Sequence, residues 1–507
     1  MTTEHVPTAD TTETARDGEP KRRGVWAQLR PLVLRMHFYA GVFIAPFILL
    51  AAVTGLLYTA APQIEQIVYS HELHVPAGEK ALPLSAQVSA ARAAHPAGDV
   101  TSVMPAIDET STTRVVFSDN TVPPDYAMAV FVDPYTAEIR GQVQTFGQWL
   151  GVRAWIDDLH RNLHLGAFGR NYSELAASWM WIVVLGGIAL WLGRRRADRR
   201  LRRVLLPDTS KRGRARNLSW HASTGIWIAL GLLLLSVTGL TWSNYAGAQI
   251  ADIRSVLEWT SRPLETSLTA TTTAGDSEHQ HGSPDTTAPA DAMSTGVGID
   301  GVMSTARAQG LRVPLFITPP DEAGKAWTVA ESKRDWPTRF DAITVDGATG
   351  SVVDRVDFAD WPFMAKMTNW TIDAHMGILF GPANQLILAA LAVGVIYVIL
   401  RGYLMWWQRR PTSRTEAGPR FGRPAPRGSL RALSPWVLVL VIVSALAVGY
   451  FVPLFGVSLA VFLVVDTLLG LKRAGGRPVR LSASLPEAPA DDKEPEDQVD
   501  DKEGIGA

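Results

Sequence analysis

Apolar and polar stretches alternate along the chain, and each apolar run is about as long as a membrane span. The runs occupy residues 40–61, 175–191, 221–242, 386–404, 435–452 and 454–471. A helix needs about 20 apolar residues to cross the core of a bilayer. The pattern therefore predicts a polytopic membrane protein with about six transmembrane helices, the last two separated by a break at Pro453 and Gly456.

The third apolar run repeats the plan of the first. The first reads RMHFYAGVFIAPFILLAAVTGLLY from Arg35, and the third reads WHASTGIWIALGLLLLSVTGLTW from Trp220. In both, a Gly stands four residues after a His, and Val-Thr-Gly-Leu begins sixteen residues after that His (53−37 and 237−221). The matched residues are His37 with His221, and Gly41 with Gly225.

A second pair of matching segments precedes the other two long spans. WIDDLH ends at His160 and WTIDAH ends at His375, and each following apolar run ends in an arginine 34 residues past its His (194−160 and 409−375). A repeat of this kind indicates a repeated structural unit. We therefore predict a duplication of one unit: a His-led helix, a polar domain and a second His-led helix.

Each polar region is predicted to be a small α+β domain, because alternation and β-branched residues indicate strands beside one helix. In the first region the helix spans Leu84–Ala94, and the strands span 101–106, 112–118 and 127–143 with a turn at 133–136. In the second, the helix spans 299–309, the strands span 313–317 and 327–331, and the matching turn spans 345–350.

Charge is concentrated in particular segments of the chain. Residues 194–216 hold eleven basic residues against Asp198 and Asp208, and a second Arg-rich loop spans 409–431. Both loops fall on the side of the N-terminus when spans are counted, so the positive-inside rule places them and both termini in the cytoplasm. We expect a multi-pass protein of the cytoplasmic membrane, surrounded by lipid, with both α+β domains outside the cell membrane.

These patterns divide the chain into eleven parts. They are a disordered cytoplasmic start (1–30), a first span (31–61), a first extracytoplasmic domain (62–172), a second span (173–193), a basic loop (194–219), a third span (220–243), a second extracytoplasmic domain (244–375) with a low-complexity insert (263–293), a fourth span (376–407), a cytoplasmic loop (408–434), a helical hairpin (435–471) and an acidic cytoplasmic tail (472–507).

The residue inventory limits the chemistry. The chain has no cysteine, which excludes thiolate iron–sulfur ligation, disulfides and a thiol nucleophile. No Gly-rich nucleotide motif follows a predicted strand, so electrons for any redox reaction would come from a separate cytoplasmic donor or from quinol. The basic loop is foremost an orientation signal, and nothing else indicates nucleic-acid binding.

Several motifs together resemble the PepSY-associated transmembrane family. They are the two His-led VTGL helices, LHRNLHLGAFGR at 159–170, AHMGILFG at 374–381, and the turns VDPYTAE and VDGATGS. That family includes iron-regulated membrane proteins and inner-membrane ferric-siderophore reductases. The resemblance implies b-type haem in the membrane and PepSY-like domains outside it. His164, which stands where an aliphatic residue is usual, and the insert at 263–293 depart from the pattern.

The repeat places one pair of histidines at each face of the membrane. His37 and His221 are expected at the cytoplasmic face, and His160 and His375 at the outer face. Imidazoles on facing helices suit haem iron, and Gly41 and Gly225 would leave room for the macrocycle. A lone interfacial His more commonly caps a helix or contacts headgroups. His164, one turn from His160, is an alternative ligand or a contact for a haem propionate.

Other residues near the outer histidines carry weaker hypotheses. Asp158 and Asp373 are interpreted as helix N-caps or, alternatively, as hydrogen-bond partners of the opposite His. An apolar platform with a cation is a candidate site for an anionic iron chelate, or an interfacial aromatic belt. Its residues are Trp361, Met364, Lys366 and Trp370.

The sequence and this resemblance together favour a membrane α-helical bundle that carries two haems b and passes electrons to an external acceptor, which the resemblance implies is ferric iron held by a siderophore. Such a protein would be a ferric-chelate reductase. One alternative is a non-catalytic scaffold whose PepSY-like domains bind a peptide or a protease. The other is a permease for iron or its chelate.

Overall fold

A computed structural model describes residues 24–195, 205–268, 296–409 and 433–474. Outside the described residues lie residues 1–23 of the expected disordered start, 269–293 of the low-complexity insert, 196–204 and 410–431 of the Arg-rich loops, and the acidic tail from residue 475. The sequence predicts disorder up to residue 30, but residues 25–30 are helical, so that boundary is wrong. The chain forms one compact unit up to Ser458, and the described residues from Leu459 belong to a second.

The apolar runs form long helices, and short helices accompany the polar regions. In chain order the described helices are α1 (Val25–Phe43), α2 (Ala45–Thr59), α3 (Ala61–Val68), α4 (Ser70–Leu73), α5 (Leu84–Ala94), α6 (Gly151–Asn162), α7 (Gly166–Arg195), α8 (Gly213–Thr241), α9 (Tyr245–Val256), α10 (Gly298–Ala308), α11 (Phe363–His375), α12 (Gly381–Trp407), α13 (Pro435–Phe451) and α14 (Pro453–Ala474).

Three of these helices, α7, α8 and α12, are long and apolar enough to cross a membrane. The first predicted span is divided into α1 and α2, which meet at 58° and make a fourth crossing if they are counted together. The apolar stretches of α13 and α14 are shorter. The protein is therefore a multi-pass helical membrane protein with three or four long spans, and the count of six stays a prediction.

The bend between α1 and α2 follows from Pro46. Proline has no backbone N–H, so the carbonyl oxygen of Val42, four residues earlier, loses its helical donor. The hydroxyl of Tyr403 donates to that oxygen at 2.9 Å, and the hydroxyl of Tyr172 donates to the Phe47 carbonyl at 2.7 Å. Side chains from α12 and α7 thus stabilise the bend.

From the sequence, Gly166 and Gly169, or Gly381 with Pro382, are predicted to break the helices that follow His160 and His375. Breaks occur at Gly166 and Gly381, while Gly169 continues α7. α6 stops at Asn162 before α7 begins at Gly166, and α11 stops at His375 before α12 begins at Gly381. Both glycines have φ of 55°, a left-handed conformation that is strained for other residues.

The hairpin of α13 and α14 breaks at Val452, directly before Pro453, as expected. The second expected break, at Gly456, is wrong. Gly456 continues the helix and lies so close to Gly449 that a Cβ built on either residue would come within 3.1 Å of the other glycine. Both glycines allow the two helices to pack closely at the turn.

The strands of both polar regions form one antiparallel nine-stranded sheet in the order β5-β4-β3-β2-β1-β6-β7-β8-β9. The strands are β1 (Val100–Met104), β2 (Thr113–Phe117), β3 (Ala127–Val132), β4 (Ile139–Phe146), β5 (Trp149–Leu150), β6 (Leu315–Thr318), β7 (Trp327–Glu331), β8 (Ala342–Val345) and β9 (Val352–Val356). The predicted turn at 133–136 divides the long run 127–143 into β3 and β4.

The two α+β regions, predicted from separate stretches of sequence, are joined where β1 meets β6. Val103 pairs with Ile317 across this junction, and both side chains are fully buried. An unpaired edge strand exposes a row of backbone donors and acceptors, so each region covers the exposed edge of the other. The helices α5 and α10 pack over the junction, and one apolar core contains residues from both regions.

A polar contact also links the two regions. The Asp300 carboxylate of α10 accepts a hydrogen bond from the backbone N–H of Leu84 at 2.7 Å and another from Ser85 N–H at 3.3 Å. These N–H groups open α5 and have no partner within the helix. A side chain of the second region therefore caps the helix of the first.

Candidate functional site

The two histidines of the His-led VTGL helices come together. The rings of His37 on α1 and His221 on α8 have centroids 6.2 Å apart and planes at 81°. Two imidazoles that share one metal ion through Nε2, each about 2 Å from it, have centroids about 6 Å apart. The spacing suits a shared metal centre, and we name this place the arginine-end pair, for the arginines described below.

Each ring of the arginine-end pair is held by a backbone carbonyl of a neighbouring helix. His37 Nδ1 lies 3.0 Å from the Val183 carbonyl oxygen, and His221 Nδ1 lies 2.9 Å from that of Val398. A carbonyl oxygen only accepts, so both Nδ1 atoms carry the hydrogen. The Nε2 lone pair of each ring then remains available to a metal.

Glycines allow these imidazoles to approach the helices. Gly187 stands four residues after Val183, and a Cβ built there would lie 3.3 Å from His37 Cε1. Gly402 stands four residues after Val398, and its Cβ would lie 3.8 Å from His221 Cε1. Because neither glycine has a side chain, each imidazole can lie close to the backbone of the neighbouring helix.

The second pair is His160 on α6 and His375 on α11, whose rings lie near enough to repel each other. We name it the sheet-end pair, since α6 begins directly after β5 and α11 follows β9. His160 Nδ1 lies 2.9 Å from Thr54 Oγ1, and His375 Nδ1 lies 2.5 Å from Thr238 Oγ1. These threonines belong to the two VTGL motifs. Each motif therefore positions a histidine of another segment.

The threonine hydroxyls act as acceptors toward these rings. Thr54 donates its single hydrogen to the Leu50 carbonyl at 2.9 Å, and Thr238 donates to the Leu234 carbonyl at 2.7 Å. The hydroxyl oxygen is then left to accept from the imidazole Nδ1–H. His160 and His375 thus also present Nε2 with a lone pair.

Burial keeps the sheet-end imidazoles neutral. It lowers the pKa of His160 to about 4, and burial, with a smaller contribution from repulsion by His160, lowers the pKa of His375 to about 3. The neutral ring is the form that binds a metal. The VTGL glycines pack beside the rings, since a Cβ on Gly55 would lie 3.1 Å from His160 Cε1 and one on Gly239 3.9 Å from His375 Cε1.

A cavity of about 300 Å³ opens beside the arginine-end pair and is lined by both of its histidines. Gly41 and Gly225 also line it, and a Cβ on either would meet nothing within 4 Å. Their role of leaving space for a macrocycle stays a prediction. The volume is at the lower end of the range for ligand sites, about 300–1,000 Å³.

Four arginines from different parts of the chain line the same cavity. They are Arg30, Arg194, Arg214 and Arg409. Arg194 lies near enough to Arg30 and Arg214 for mutual repulsion, and Arg409 is likewise near Arg214. Guanidinium groups bind carboxylates in a bidentate manner. A ligand with an apolar body and carboxylates at one edge fits this lining.

The two pairs lie at opposite ends of the long helices. On α8, Thr238 stands seventeen residues after His221 (238−221), which is about 25 Å along the axis at about 1.5 Å per residue. That length is comparable to the bilayer core of about 30 Å. The bundle therefore holds one histidine pair near each end of its apolar region.

Pairs of histidines favour a metal centre that brings most of its own ligands. Within the described residues, no group of three or more His, Asp or Glu side chains has the arrangement of a metal-ion site. Haem iron needs only axial ligands from the protein. The arginine-end pair fits haem b because it has two imidazole donors, glycines that let the rings approach the helices, and an arginine-lined cavity. The sheet-end pair fits haem b by its two imidazole donors.

His164 is placed apart from the sheet-end pair. Its Nδ1 lies 2.8 Å from Asp158 Oδ2, and its ring packs on Trp155 with centroids 4.8 Å apart. Among the described contacts, the partners of Asp158 are His164, Asn162 and Arg161 of its own segment rather than an opposite ligand. No described contact joins His164 to an imidazole of a facing helix. The contacts therefore favour His160, not His164, as the member of the sheet-end pair.

The N-cap interpretation of the two aspartates is wrong. Asp158 and Asp373 lie late in α6 and α11, since these helices begin at Gly151 and Phe363. Asp373 is 1% exposed and accepts a hydrogen bond from Arg334 Nε at 2.7 Å. Burial raises the pKa of the Asp373 carboxyl, and Arg334 opposes that shift.

The candidate chelate platform is engaged in packing. Trp361 stacks on Phe340 with centroids 5.8 Å apart, and Trp370 donates from Nε1 to Thr338 Oγ1 at 2.9 Å. Lys366 Nζ donates to the Ala359 carbonyl at 2.6 Å. Met364 is half-buried on α11. These contacts agree with a structural cluster, and the chelate-binding role stays a prediction.

Sequence reasoning did not identify the groups that orient the rings. Thr54 and Thr238 were visible as parts of the repeat, but nothing tied them to His160 and His375. The carbonyls of Val183 and Val398 have no sequence signature at all. The nearest available signal was the glycine four residues after each valine, at Gly187 and Gly402.

Comparison with known proteins identifies the family. No curated protein matches the sequence significantly. A family comparison matches residues 34–409, which include all four paired histidines, with the family described as "PepSY-associated TM region". The chain therefore belongs to the PepSY-associated transmembrane family.

Proposed function

We propose that this protein is a membrane oxidoreductase that holds two haems b and passes electrons across the cytoplasmic membrane to a ferric chelate outside. The observation that carries the proposal is that all four paired imidazoles have the same hydrogen-bonding arrangement. Each donates its Nδ1–H to an acceptor on another helix and keeps Nε2 for a metal. Partners that fix the second nitrogen in this way are typical of metal-ligating histidines.

The roles of the residues follow from their places. His37 with His221, and His160 with His375, would each hold one haem iron through Nε2, and the cavity arginines would bind the carboxylates of the haem at their end. When bound, haem b supplies one-electron redox chemistry. The neighbouring helices hold the four imidazoles in fixed orientations.

The direction of transfer is part of the proposal. The arginine-end pair would face the cytoplasm, where a separate donor or quinol supplies electrons, and the sheet would face outward. One electron reduces ferric iron to ferrous iron, which hard oxygen ligands hold less tightly because its charge is lower. The product is ferrous iron released from a siderophore-type chelate, which would serve iron acquisition.

A pigment assay on the purified full chain tests the haem content. We expect two haems b per chain by pyridine haemochrome, with one lost in His37→Ala or His221→Ala and the other lost in His160→Ala or His375→Ala. His71→Ala, at an exposed histidine, is the matched control and keeps both. His164→Ala also keeps both if His160 is the ligand.

A transfer assay tests the acceptor. Reduced protein mixed with a ferric hydroxamate chelate is expected to lose its reduced haem bands while ferrous iron appears in a ferrous-specific trap, one ion per electron. A folded but colourless chain would overturn the proposal and favour a scaffold. Uptake of chelate into vesicles without electron transfer would favour a permease.

A further inference from the structure

The two histidine pairs differ in the atoms that accept their Nδ1–H. In the arginine-end pair both acceptors are backbone carbonyls, those of Val183 and Val398. In the sheet-end pair each ring contacts a threonine hydroxyl, that of Thr54 or Thr238, and His160 has the Ala51 carbonyl as a further backbone partner. The threonine hydroxyls are therefore the feature that the sheet-end pair has and the arginine-end pair lacks.

The acceptor matters because it changes the basicity of the ligand. A strong acceptor draws the Nδ1 hydrogen away and makes Nε2 a more electron-rich donor. An electron-rich donor stabilises the more highly charged ferric state. An amide carbonyl is a stronger acceptor than a hydroxyl, so the carbonyl-held pair stabilises ferric iron more.

We infer that Thr54 and Thr238 are positioning residues that orient His160 and His375 and give the sheet-end site a higher reduction potential than the arginine-end site. The inference rests on the proposed function, because it requires haem at both pairs. With haem held at both pairs, this order of potentials would favour electron transfer from the arginine end to the sheet end. The protein would thereby set the direction of transfer toward the sheet.

The threonines are well placed for this role. Thr54 is 5% and Thr238 is 2% exposed, so neither hydroxyl exchanges its partner for water. Each oxygen is fixed by its own bond to the carbonyl four residues earlier in the helix. A valine has nearly the same shape but no acceptor, so it isolates the hydrogen bond from the packing.

Potentiometric titration of the full chain in detergent measures the effect. We expect two midpoints in the parent protein, and in Thr54→Val or Thr238→Val only the higher one rises. Loss of one such partner changes metal-site equilibria by about tenfold, which is about 59 mV for a one-electron couple. Thr54→Ser keeps an acceptor and is expected to restore the parent value.

Two threonines provide matched controls. Thr59 and Thr241 donate to carbonyls of their own helices at 2.7 Å and 2.6 Å and accept from no histidine ring. Thr59→Val and Thr241→Val are expected to leave both midpoints unchanged. If one test variant loses pigment, the other variant, on the opposite imidazole, gives the measurement.

The outcomes separate this inference from the proposed function. A chain that carries no haem overturns both. A chain with two haems whose midpoints are unmoved by Thr54→Val and Thr238→Val, or whose lower midpoint moves instead, overturns this inference and leaves the oxidoreductase intact. An upward shift confined to the higher midpoint, with recovery in the serine variant, establishes the role.

Discussion

The hydroxyl of Tyr403 donates to the Val42 carbonyl at 2.9 Å, across 361 residues of sequence. The acceptor is free because Pro46 lacks the N–H that would otherwise bind it. Both Tyr403 and Val42 line the cavity beside the arginine-end pair. One hydrogen bond therefore fixes both the bend of the first span and one wall of the candidate haem site.

Removal of this hydroxyl is expected to weaken the fold. Tyr403→Phe leaves a partly buried carbonyl without this donor, and we expect the free energy of unfolding in detergent to fall by about 1 kcal/mol. Tyr450→Phe is the control, since Tyr450 is 68% exposed on α13. Equal effects of the two substitutions, measured by denaturant titration, would contradict the assigned role.

The junction of the sheet is expected to be essential for its stability. Ile317 on β6 is fully buried where it pairs with Val103 on β1. Ile317→Ala leaves a cavity under both α+β regions and is expected to cost about 2–5 kcal/mol. Ile107→Ala, at a side chain that is 58% exposed, should cost far less.

The measurement for the junction is limited proteolysis together with the urea midpoint of near-UV circular dichroism. Because one core serves both regions, cleavage of Ile317→Ala is expected in loops of both halves at once. Cleavage confined to the second region, with the first intact, would indicate that the two regions are stable independently.

Much of the site was predictable because the signal was local and repeated. The spacing of His37 and His221 from their VTGL motifs paired the right histidines, and the glycines at 166 and 381 marked the helix breaks. The spacing of apolar residues and the flanking turn residues predicted the helix Leu84–Ala94, which the structure contains with these bounds. In each case the physical cause lies within a few residues of its effect.

What the sequence did not reveal depends on contacts between distant segments. The Val183 and Val398 carbonyls are backbone atoms that any residue would supply, so only the fold identifies them as acceptors. The pairing of Val103 with Ile317 joins two strand edges that have no distinctive residues. Asp158 and Asp373 were misassigned as N-caps because the helices that contain them begin earlier, at Gly151 and Phe363.

The arginines around the cavity are expected to hold a ligand with carboxylates. Arg194→Gln or Arg409→Gln removes one charge-assisted hydrogen bond, and we expect retention of haem at the arginine-end pair to fall by about tenfold. Dilution into apomyoglobin, followed by absorbance, measures the release. Arg216→Gln is the control, because Arg216 is exposed and does not line the cavity. Equal release from all three variants would refute a direct contact.

Acid is expected to destabilise the edge of the sheet at β9. The Asp354 carboxylate on β9 accepts from both terminal nitrogens of Arg262, at 2.7 Å and 3.0 Å. Hydrogen bonds from Arg262 hold the pKa of Asp354 at about 2, below its ordinary value of 3.8. A depressed folded-state pKa contributes stability that is full above about pH 4 and is lost as pH falls toward 2.

The check is the urea midpoint as a function of pH between 5 and 2. Asp354→Asn should remove part of the pH dependence in that window, while Asp321→Asn, at an exposed position, should retain the parent slope. An unchanged slope in Asp354→Asn would show that other carboxylates dominate the acid response.

The ion pair next to His375 provides the sharpest test of the sheet-end architecture. Arg334 Nη2 lies 2.5 Å from Asp373 Oδ1, and the Asp373 side chain is only 1% exposed. Arg334→Met leaves a buried carboxylate without its partner, and we expect a loss of about 3–5 kcal/mol. The neighbouring Lys333→Met breaks a pair with Asp335, which is 60% exposed, and should cost about 1 kcal/mol or less.

A double variant separates the charge from the packing. In Arg334→Met with Asp373→Leu no charge is left buried, so most of the lost free energy of unfolding should return. Because Asp373 stands two residues before His375 on α11, haem retention at the sheet-end pair should follow stability in the single variant and recover in the double one. A double variant as unstable as Arg334→Met would mean that the guanidinium stabilises α11 by contacts other than the ion pair, including its approach to Met376 Sδ at 3.7 Å.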